Sequence, residues 1–393
     1  VLGSNSRGAA REIDKLLCVG SLREGVICNK EGGKLYVYGE GASSVGVDEE
    51  ILNICKEIAG KVENRWKKIC LVTKDRYLRI MASYRGVLVE DYKTDKKGEE
   101  FYSGHISVDV EEETINEIYR GGEVVVDEIS KESINMCVSL VNEGNSKHQA
   151  LGIHKGEGRV EILPRELKAL NIVPLNAEQR FALRLLLDPN IHLITLTGAT
   201  GSGKTMLAVA ASLQQVEDGG YGQLLLSRSE VPMGRSQGFL GGNIKEKTDP
   251  WLSGLYGCLE NLVGCKDSGG KETGGYRALD FYLQKEIIRA EALAYIRGVT
   301  WINSVLILDE AQNTSSKELK AVLTRAGGDF NKKTPTKIVL LGDTQQIDNP
   351  YLDDASNGLC QVISSFKGWE HYGHLHLNKT VRSKLAYEAG VRL

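Results

Sequence analysis

The sequence predicts an α/β protein whose main part is a parallel sheet with helices on both faces, preceded by a smaller α/β domain and a β-rich connector. Past Pro174 the chain reads helix, strand, glycine-rich turn and helix, followed by strands of unbroken Leu, Ile and Val, the pattern of strands buried on both faces. Ahead of Lys93, helix-like and strand-like stretches alternate. From Tyr102 to Leu163, short β-branched runs are separated by Gly, Asn and Asp.

In the leading part, helices are expected around Gly8 to Leu17 and Asp48 to Ala59, and strands at Lys34 to Tyr38 and Lys68 to Thr73. A further helix starts near Tyr77, just past Asp75. The polar run Lys93, Asp95, Lys96, Lys97, Glu99 and Glu100 reads as an exposed connection. Connector strands are expected at Ile106 to Val108, Val124 to Val126, Asn135 to Leu140 and Arg159 to Leu163. The division that follows is residues 1–97, a connector over 98–170, and the parallel-sheet domain over 171–393.

Composition narrows the function classes. Lys plus Arg total 49 against 52 Asp plus Glu, so the net charge of -3 offers no global attraction to phosphate backbones, and any nucleic-acid surface must be local. The 8 cysteines are scattered without a C-x-x-C pair, which reads as reduced thiols in a cytoplasmic protein and neither a disulfide framework nor a zinc site. Apolar runs such as Leu193 to Leu196 and Val305 to Leu308 are strand-length, too short to cross a bilayer. The chain opens Val1-Leu2-Gly3-Ser4 with no signal peptide and no methionine, which reads as an absent beginning.

Gly198-Ala199-Thr200-Gly201-Ser202-Gly203-Lys204-Thr205 is a complete P-loop, placed between the strand His192 to Leu196 and the helical run Met206 to Gln215. Its glycines let backbone N–H groups turn inward around phosphate oxygens, and the helix that follows presents its positive N-terminus to the same anion. Lys204 is expected on the β- and γ-phosphates of ATP, and Thr205 on the bridging Mg2+. The run Ser304 to Gln312 ends a buried strand in Asp309 and Glu310, a Walker B element in which Asp309 holds the magnesium shell and Glu310 polarises the attacking water.

A third strand, Lys337 to Leu341, delivers Gly342-Asp343-Thr344-Gln345-Gln346 to the same edge of the sheet, where Gln346, ahead of Gln345, is the candidate γ-phosphate sensor. Loop capping is the plain alternative for either amide, and Asp343 is read equally as a strand end. Gln179 has two readings, adenine recognition or the third position of a capping box with Asn176. Arg382, Arg297 and Arg325 are the candidates for an arginine that stabilises the transferring phosphoryl group, with Arg382 preferred and a surface ion pair as its alternative. Arg228, Arg235, Lys245 and Lys247, with Trp251 behind them, form a basic and aromatic set suited to a single strand, or else a solvated loop.

The blocks GATGSGKT, SRSEVPMG with GFLGG, YIRG, ILDEAQN, LTRAGG, LLGDTQQID and TVRS, in that order, resemble the PhoH family of ATPases over everything from Leu175 onward. The resemblance implies a motor core like that of superfamily-one helicases, acting on single-stranded RNA as a homo-oligomer, a hexameric ring. It places Arg228, Pro232 and Gly234 near the nucleotide or nucleic-acid path, and Ser229 stands where the family pattern usually has proline.

Lys15 to Val26, Val47 to Leu52, Leu71 to Asp75 and Glu90-Asp91-Tyr92 resemble the back half of a PIN nuclease domain, which makes the whole similar to a PIN-PhoH fusion. PIN domains gather carboxylates around Mg2+ or Mn2+ to activate water against RNA. By motif Asp48 and Asp75 match the third and fourth of those acids, and the first two are expected ahead of Gly3. Without the resemblance Asp48 reads as a helix N-cap and Asp75 as a turn residue.

The function expected is an ATP-hydrolysing RNA-remodelling motor of helicase type coupled to an incomplete PIN ribonuclease module. A nucleotide kinase or metabolic ATPase is one alternative, against which Glu310 speaks because it favours water as acceptor. An RNA-binding scaffold switched by ATP is the other.

Overall fold

A computed structural model describes residues 26–27, 34–35, 47–61, 70–73, 75–90, 102–229, 254–255, 257–259, 262, 275–293, 298–329, 334–349, 352 and 357–381. Its chain divides into two compact units, Val1–Glu99 and Glu100–Leu393. Among the described residues no helix is long and apolar enough to cross a membrane.

In the first unit, β1 (Val26–Ile27) and β2 (Lys34–Leu35) pair antiparallel. Helix α1 (Val47–Lys61) is followed by β3 (Cys70–Val72), α2 (Arg76–Tyr84) and β4 (Leu88–Glu90). Strands β3 and β4 are parallel, Cys70 opposite Leu88, which requires the crossover that α2 supplies. Leu52 of α1 and Leu78 and Ala82 of α2 are buried together as a small core. The helix expected around Gly8 to Leu17 lies outside the described residues.

The second unit opens with β5 (His105–Val110), α3 (Glu112–Gly121), β6 (Glu123–Val125), β7 (Cys137–Asn142), β8 (Asn145–His154) and β9 (Arg159–Ile162). These strands form a five-stranded sheet in the order β5-β7-β8-β9-β6. Helix α3 was not anticipated from the β-branched runs around it. Its signal is the pair Ile115 and Ile118, both buried, with Gly122 in the left-handed conformation that ends it. The long strand β8 escaped notice because its first half, Asn145 to Gln149, is polar and mostly exposed.

The remaining elements are α4 (Ala177–Leu187), β10 (Leu193–Gly198), α5 (Lys204–Glu217), β11 (Gln223–Arg228), α6 (Gly275–Gln284), β12 (Ile288–Ala290), β13 (Ser304–Asp309), α7 (Ser316–Leu323), β14 (Gly328–Asp329), β15 (Thr334–Pro335), β16 (Lys337–Gly342), α8 (Gly358–Phe366) and β17 (Tyr372–Leu377). Six strands build one parallel sheet in the order β12-β11-β13-β16-β10-β17. Alternation along the strands separates two cores. Leu224, Leu226, Val305, Ile307, Val339 and Leu341 face α4 and α5, while Leu225, Leu306, Leu308, Ile338 and Leu340 face α7 and α8. Helices therefore cover both faces, and each fully buried Leu or Ile contributes about 1.5–3 kcal/mol. Helix α5 is buried from Leu207 to Leu213, the mark of a helix enclosed by its neighbours.

The five-stranded sheet meets the six-stranded one at its edge strand β17. Asn135, in the left-handed region at φ 64°, donates from Nδ2 to the carbonyls of Glu370 (2.8 Å) and Tyr372 (3.0 Å). His376 N donates to Ser103 O at 2.8 Å.

Lys337, the first residue of β16, is fully buried. Its ammonium donates to Leu186 O (2.8 Å) and Asp188 O (2.9 Å) at the C-terminus of α4, and to Gln215 Oε1 (2.9 Å) on α5. Burial lowers the Lys337 amine to about 7 while Asp188 pulls it back up, and its three acceptors let the side chain cap one helix and tie it to the sheet.

Between β10 and β17 runs a polar ladder in which Thr195 Oγ1 meets Tyr372 OH (2.6 Å) and His374 Nδ1 (2.7 Å). Burial pushes the His374 imidazole down to about 3. From the ordinary histidine value near 6.5 down to that value, the unfolded chain binds a proton that the folded chain refuses, so this contribution to stability falls with falling pH. The urea midpoint is expected to drop between pH 7 and pH 5, and to drop less in a His374→Asn variant; equal drops would remove His374 from the explanation.

Candidate active site

The carboxyl ends of β10, β13 and β16 are neighbours at one edge of the parallel sheet, the edge where α/β proteins bind ligands. Register sets this. Leu196 pairs with Leu341, Ile307 with Val339, and Arg228 with Asp309 across adjacent strands.

At the end of β10 the P-loop uses glycine where no other residue fits. Gly198 has φ +136° and lies against the carbonyl of Leu377, and Gly203 has φ +94° and lies against the amide of Gln179. Gly203 then caps α5, so the helix begins at Lys204 and its positive end faces the loop. Lys204 Nζ donates to the carbonyls of Gly198 and Ala199 and reaches Ser202 Oγ at 3.4 Å. The ammonium rests on loop oxygens, which phosphate oxygens would replace. Thr205 follows it in the first turn of α5.

Gln179 lies beneath this loop with only 4% of its surface exposed. Its Nε2 donates to Ser202 O (3.0 Å) and its Oε1 accepts from Leu175 N (2.9 Å). Asn176 does cap α4 by accepting from Gln179 N at 2.9 Å. The reciprocal half of a capping box is missing, because the Gln179 side chain passes the cap to reach Leu175.

On β13, burial first and the neighbouring Glu310 second push the Asp309 carboxyl up to about 6, opposed by Arg228 and Lys204. A desolvated carboxylate beside a second one is a place where a divalent cation is stabilising, and carboxylate and hydroxyl oxygens are the donor type that Mg2+ prefers. These residues therefore fit the metal. Magnesium would supply charge neutralisation at the phosphates, while the chain's own groups orient the nucleotide and the water.

Glu310 sits in the left-handed region at φ 53°, ψ 37°, a conformation that costs a glutamate about 1 kcal/mol. Its Oε2 accepts from Gln312 Nε2 (2.7 Å) and its Oε1 from Arg228 Nη2 (3.2 Å). Gln312, fully buried, also donates to Gln346 O (2.9 Å) and accepts from Asp343 N (3.1 Å). Asn313 Oδ1 accepts from Asp348 N (2.9 Å) and Asn349 N (3.3 Å). The amides of DEAQN thus stitch the GDTQQID turn to the Walker B strand. Sequence reasoning passed over both, although an amide pair straight after paired carboxylates was the available signal.

Asp343 Oδ1 accepts from Gln345 N at 3.0 Å, an Asx-type turn at the strand end. Of the two glutamines, Gln346 is the one whose side chain meets the P-loop, its Oε1 accepting from Thr200 Oγ1 at 3.2 Å. His376 was also missed. On β17 it bonds Thr197 Oγ1 at 2.9 Å, and burial lowers its pKa while Asp343 and Glu178 pull it back up and Lys204 pushes it down. Ser229 N donates to Asp309 O at 3.0 Å, a bond that proline at this position could not make.

Other expected residues fall elsewhere. Arg325 O accepts from Trp301 N, at the amino end of β13, so within this chain Arg325 is at the opposite edge of the sheet from the P-loop. Arg382, Arg297, Pro232, Gly234, Arg235, Lys245, Lys247 and Trp251 lie outside the described residues. Val381, the neighbour of Arg382, donates to Gly201 O at 2.9 Å.

In the first unit, Asp75 caps α2 by accepting from Leu78 N at 3.0 Å, and Asp48 lies in the first turn of α1. Both are exposed, and among the described residues no three His, Cys, Asp or Glu gather as a metal site.

A family model described as PhoH-like protein matches residues 171–390, and one described as PIN domain matches residues 2–93. Protein PhoH2 of Bacillus subtilis (strain 168) is 34% identical over 404 residues, which cover 98% of this chain and 88% of that protein. Protein PhoH2 of Mycolicibacterium smegmatis is 28% identical over 397 residues, 98% of this chain and 85% of its own. The Pyrococcus furiosus Hef helicase domain aligns with 51% of this chain and 38% of its own at TM-score 0.29 and 12% identity, too slight a likeness to argue from. The chain belongs to the PhoH family of P-loop ATPases and carries a PIN domain ahead of its PhoH domain.

Proposed function

We propose that this chain hydrolyses ATP to remodel or unwind RNA as a helicase-type motor that binds single strands, in a homo-oligomer, with a PIN module at 1–97, a connector at 98–170 and the motor at 171–393. The observation that carries the hydrolytic reading is the continuous set of contacts from Glu310 through Gln312 to Gln346 and on to Thr200 of the P-loop. It joins the carboxylate read as polarising water to the turn and loop read as meeting phosphate.

In this reading Lys204 draws the β- and γ-phosphates, the loop from Gly198 to Gly203 cradles them with backbone donors, and Thr205 and Asp309 hold Mg2+. Glu310 polarises the attacking water, and Gln346 reports the γ-phosphate. Gln179 acts through the loop it supports, and Arg382 is the arginine for the transferring charge. Asp48 and Asp75 belong to the PIN site, whose metal would be Mg2+ or Mn2+ and whose substrate would be RNA. Support for RNA comes from the PIN domain and the PhoH resemblance, and a fold by itself does not say what hydrolysis moves.

Phosphate release from Mg-ATP, with and without single-stranded oligonucleotide, tests the proposal. Stimulation of about tenfold by RNA is expected, a coupling of ordinary allosteric size. Turnover indifferent to RNA would favour a metabolic ATPase, and tight ATP-dependent RNA binding with almost no turnover would favour a scaffold.

A further inference from the structure

Glu310 is gripped from two sides, and the two holders are unlike. Gln312 is fully buried and bonded at both ends of its amide to the turn after β16, so it is fixed in place. Arg228 comes from the last residue of the neighbouring strand β11, opposite Asp309, and 37% of its side chain is exposed. Glu310's own side chain is 33% exposed, so the pair lies half in solvent at the rim of the site. Such a pair is weak enough to be exchanged. A guanidinium binds a phosphate in a two-point geometry at least as well as it binds a carboxylate.

A carboxylate oxygen that accepts a hydrogen bond from a guanidinium is occupied and turned away from a water it would otherwise hold. Both Glu310 oxygens are turned toward the chain, one to the fixed amide and one to the exchangeable arginine. The geometry points to Arg228 as a releasable brake, a positioning residue that withholds Glu310 from water until a phosphate of a polynucleotide strand takes its guanidinium. This rests on the reading of Glu310 as the group that polarises water. The neighbouring Asp309 carboxyl feels Glu310, Arg228 and Lys204 as well. The phosphate that competes for Arg228 has two conceivable sources, the γ-phosphate of ATP and a nucleic-acid backbone, and the arms below separate them.

The test compares the wild-type chain, Arg228→Ala, Arg228→Lys, Glu310→Gln and the double variant Arg228→Ala/Glu310→Gln in Mg-ATP turnover, with and without oligouridylate. Without RNA, Arg228→Ala is expected to raise kcat about fivefold with KM for ATP changed by less than about twofold, the scale of a half-exposed ion pair. Its stimulation by RNA shrinks by the same factor, Arg228→Lys falls between it and wild type, and the double variant is as inactive as Glu310→Gln. That last result shows that the gain passes through Glu310.

An RNA-free kcat that is unchanged in Arg228→Ala overturns the polynucleotide as competitor, since bound ATP alone would then already have released the arginine. A lower kcat overturns the brake and makes Arg228 a residue that aligns Glu310 for catalysis. Wild-type turnover that ignores RNA, with Glu310→Gln inactive, defeats the motor reading instead, and a raised RNA-free rate in Arg228→Ala would still uphold the grip. Arg228→Gln, which keeps a donor without the charge, carries the same test if the alanine variant unfolds.

Discussion

Replacing Glu310 by glutamine lowers ATP turnover by about 10²–10³-fold and leaves ATP affinity within about threefold of wild type, because the loss falls on the hydrolytic step and not on nucleotide binding. Glutamine keeps the shape and an acceptor for Gln312 Nε2, so the turn that ends at Gln346 stays attached. What it removes is the negative charge to which the proposed function gives the polarising of water. Steady-state phosphate release gives kcat, and titration with a fluorescent nucleotide gives affinity. Turnover within a few-fold of wild type would transfer the water-polarising role to another group.

The second large effect concerns the fold that carries the site. A Cβ placed on Gly198 would lie 2.1 Å from the carbonyl oxygen of Leu377 and 2.9 Å from its carbon, at a φ of +136° that side chains rarely adopt. β10 cannot retreat, since it lies between β16 and β17, and β17 is tied on its outer side by the bond from His376 N to Ser103 O. Gly198→Ala is therefore expected to cost more than about 3 kcal/mol, from strain and overpacking together. Gly219→Ala is the control, because Gly219 shares a positive φ of +77° but has no atom within 4 Å of the added carbon. That change should cost about 1 kcal/mol. Urea unfolding of the two variants gives the comparison, and equal losses would mean that conformation alone, without the Leu377 contact, makes glycine necessary at 198.

Some features were plain in the residues because their causes are local. Unbroken apolar runs at Val305 to Leu308 and Ile338 to Leu341 can be satisfied only by burial on both faces, and both lie in the centre of the parallel sheet. The glycine spacing of the P-loop likewise announces a left-handed turn before a helix, and Gly201 and Gly203 have φ of 89° and 94°. Lys337 is the opposite case. A lysine at the head of a strand reads as a solvated edge residue, yet the chain buries it because the C-terminus of α4 and Gln215 present three acceptors at that spot.

What the sequence by itself determined about this protein is the α/β class, the placing of three strand ends at one edge, and the residue types delivered there, since periodicity and glycine positions act over a few residues. Only the tertiary structure decided which of those side chains touch. Arg228 meets Glu310 across 82 residues of chain, and Thr200 meets Gln346 across 146. Such contacts depend on strand order and register, and no local pattern states that β11 lies beside β13 or that β10 lies between β16 and β17. The chemistry at the edge was legible as a list of groups, and the grip on Glu310 became visible once packing had set those groups a hydrogen bond apart.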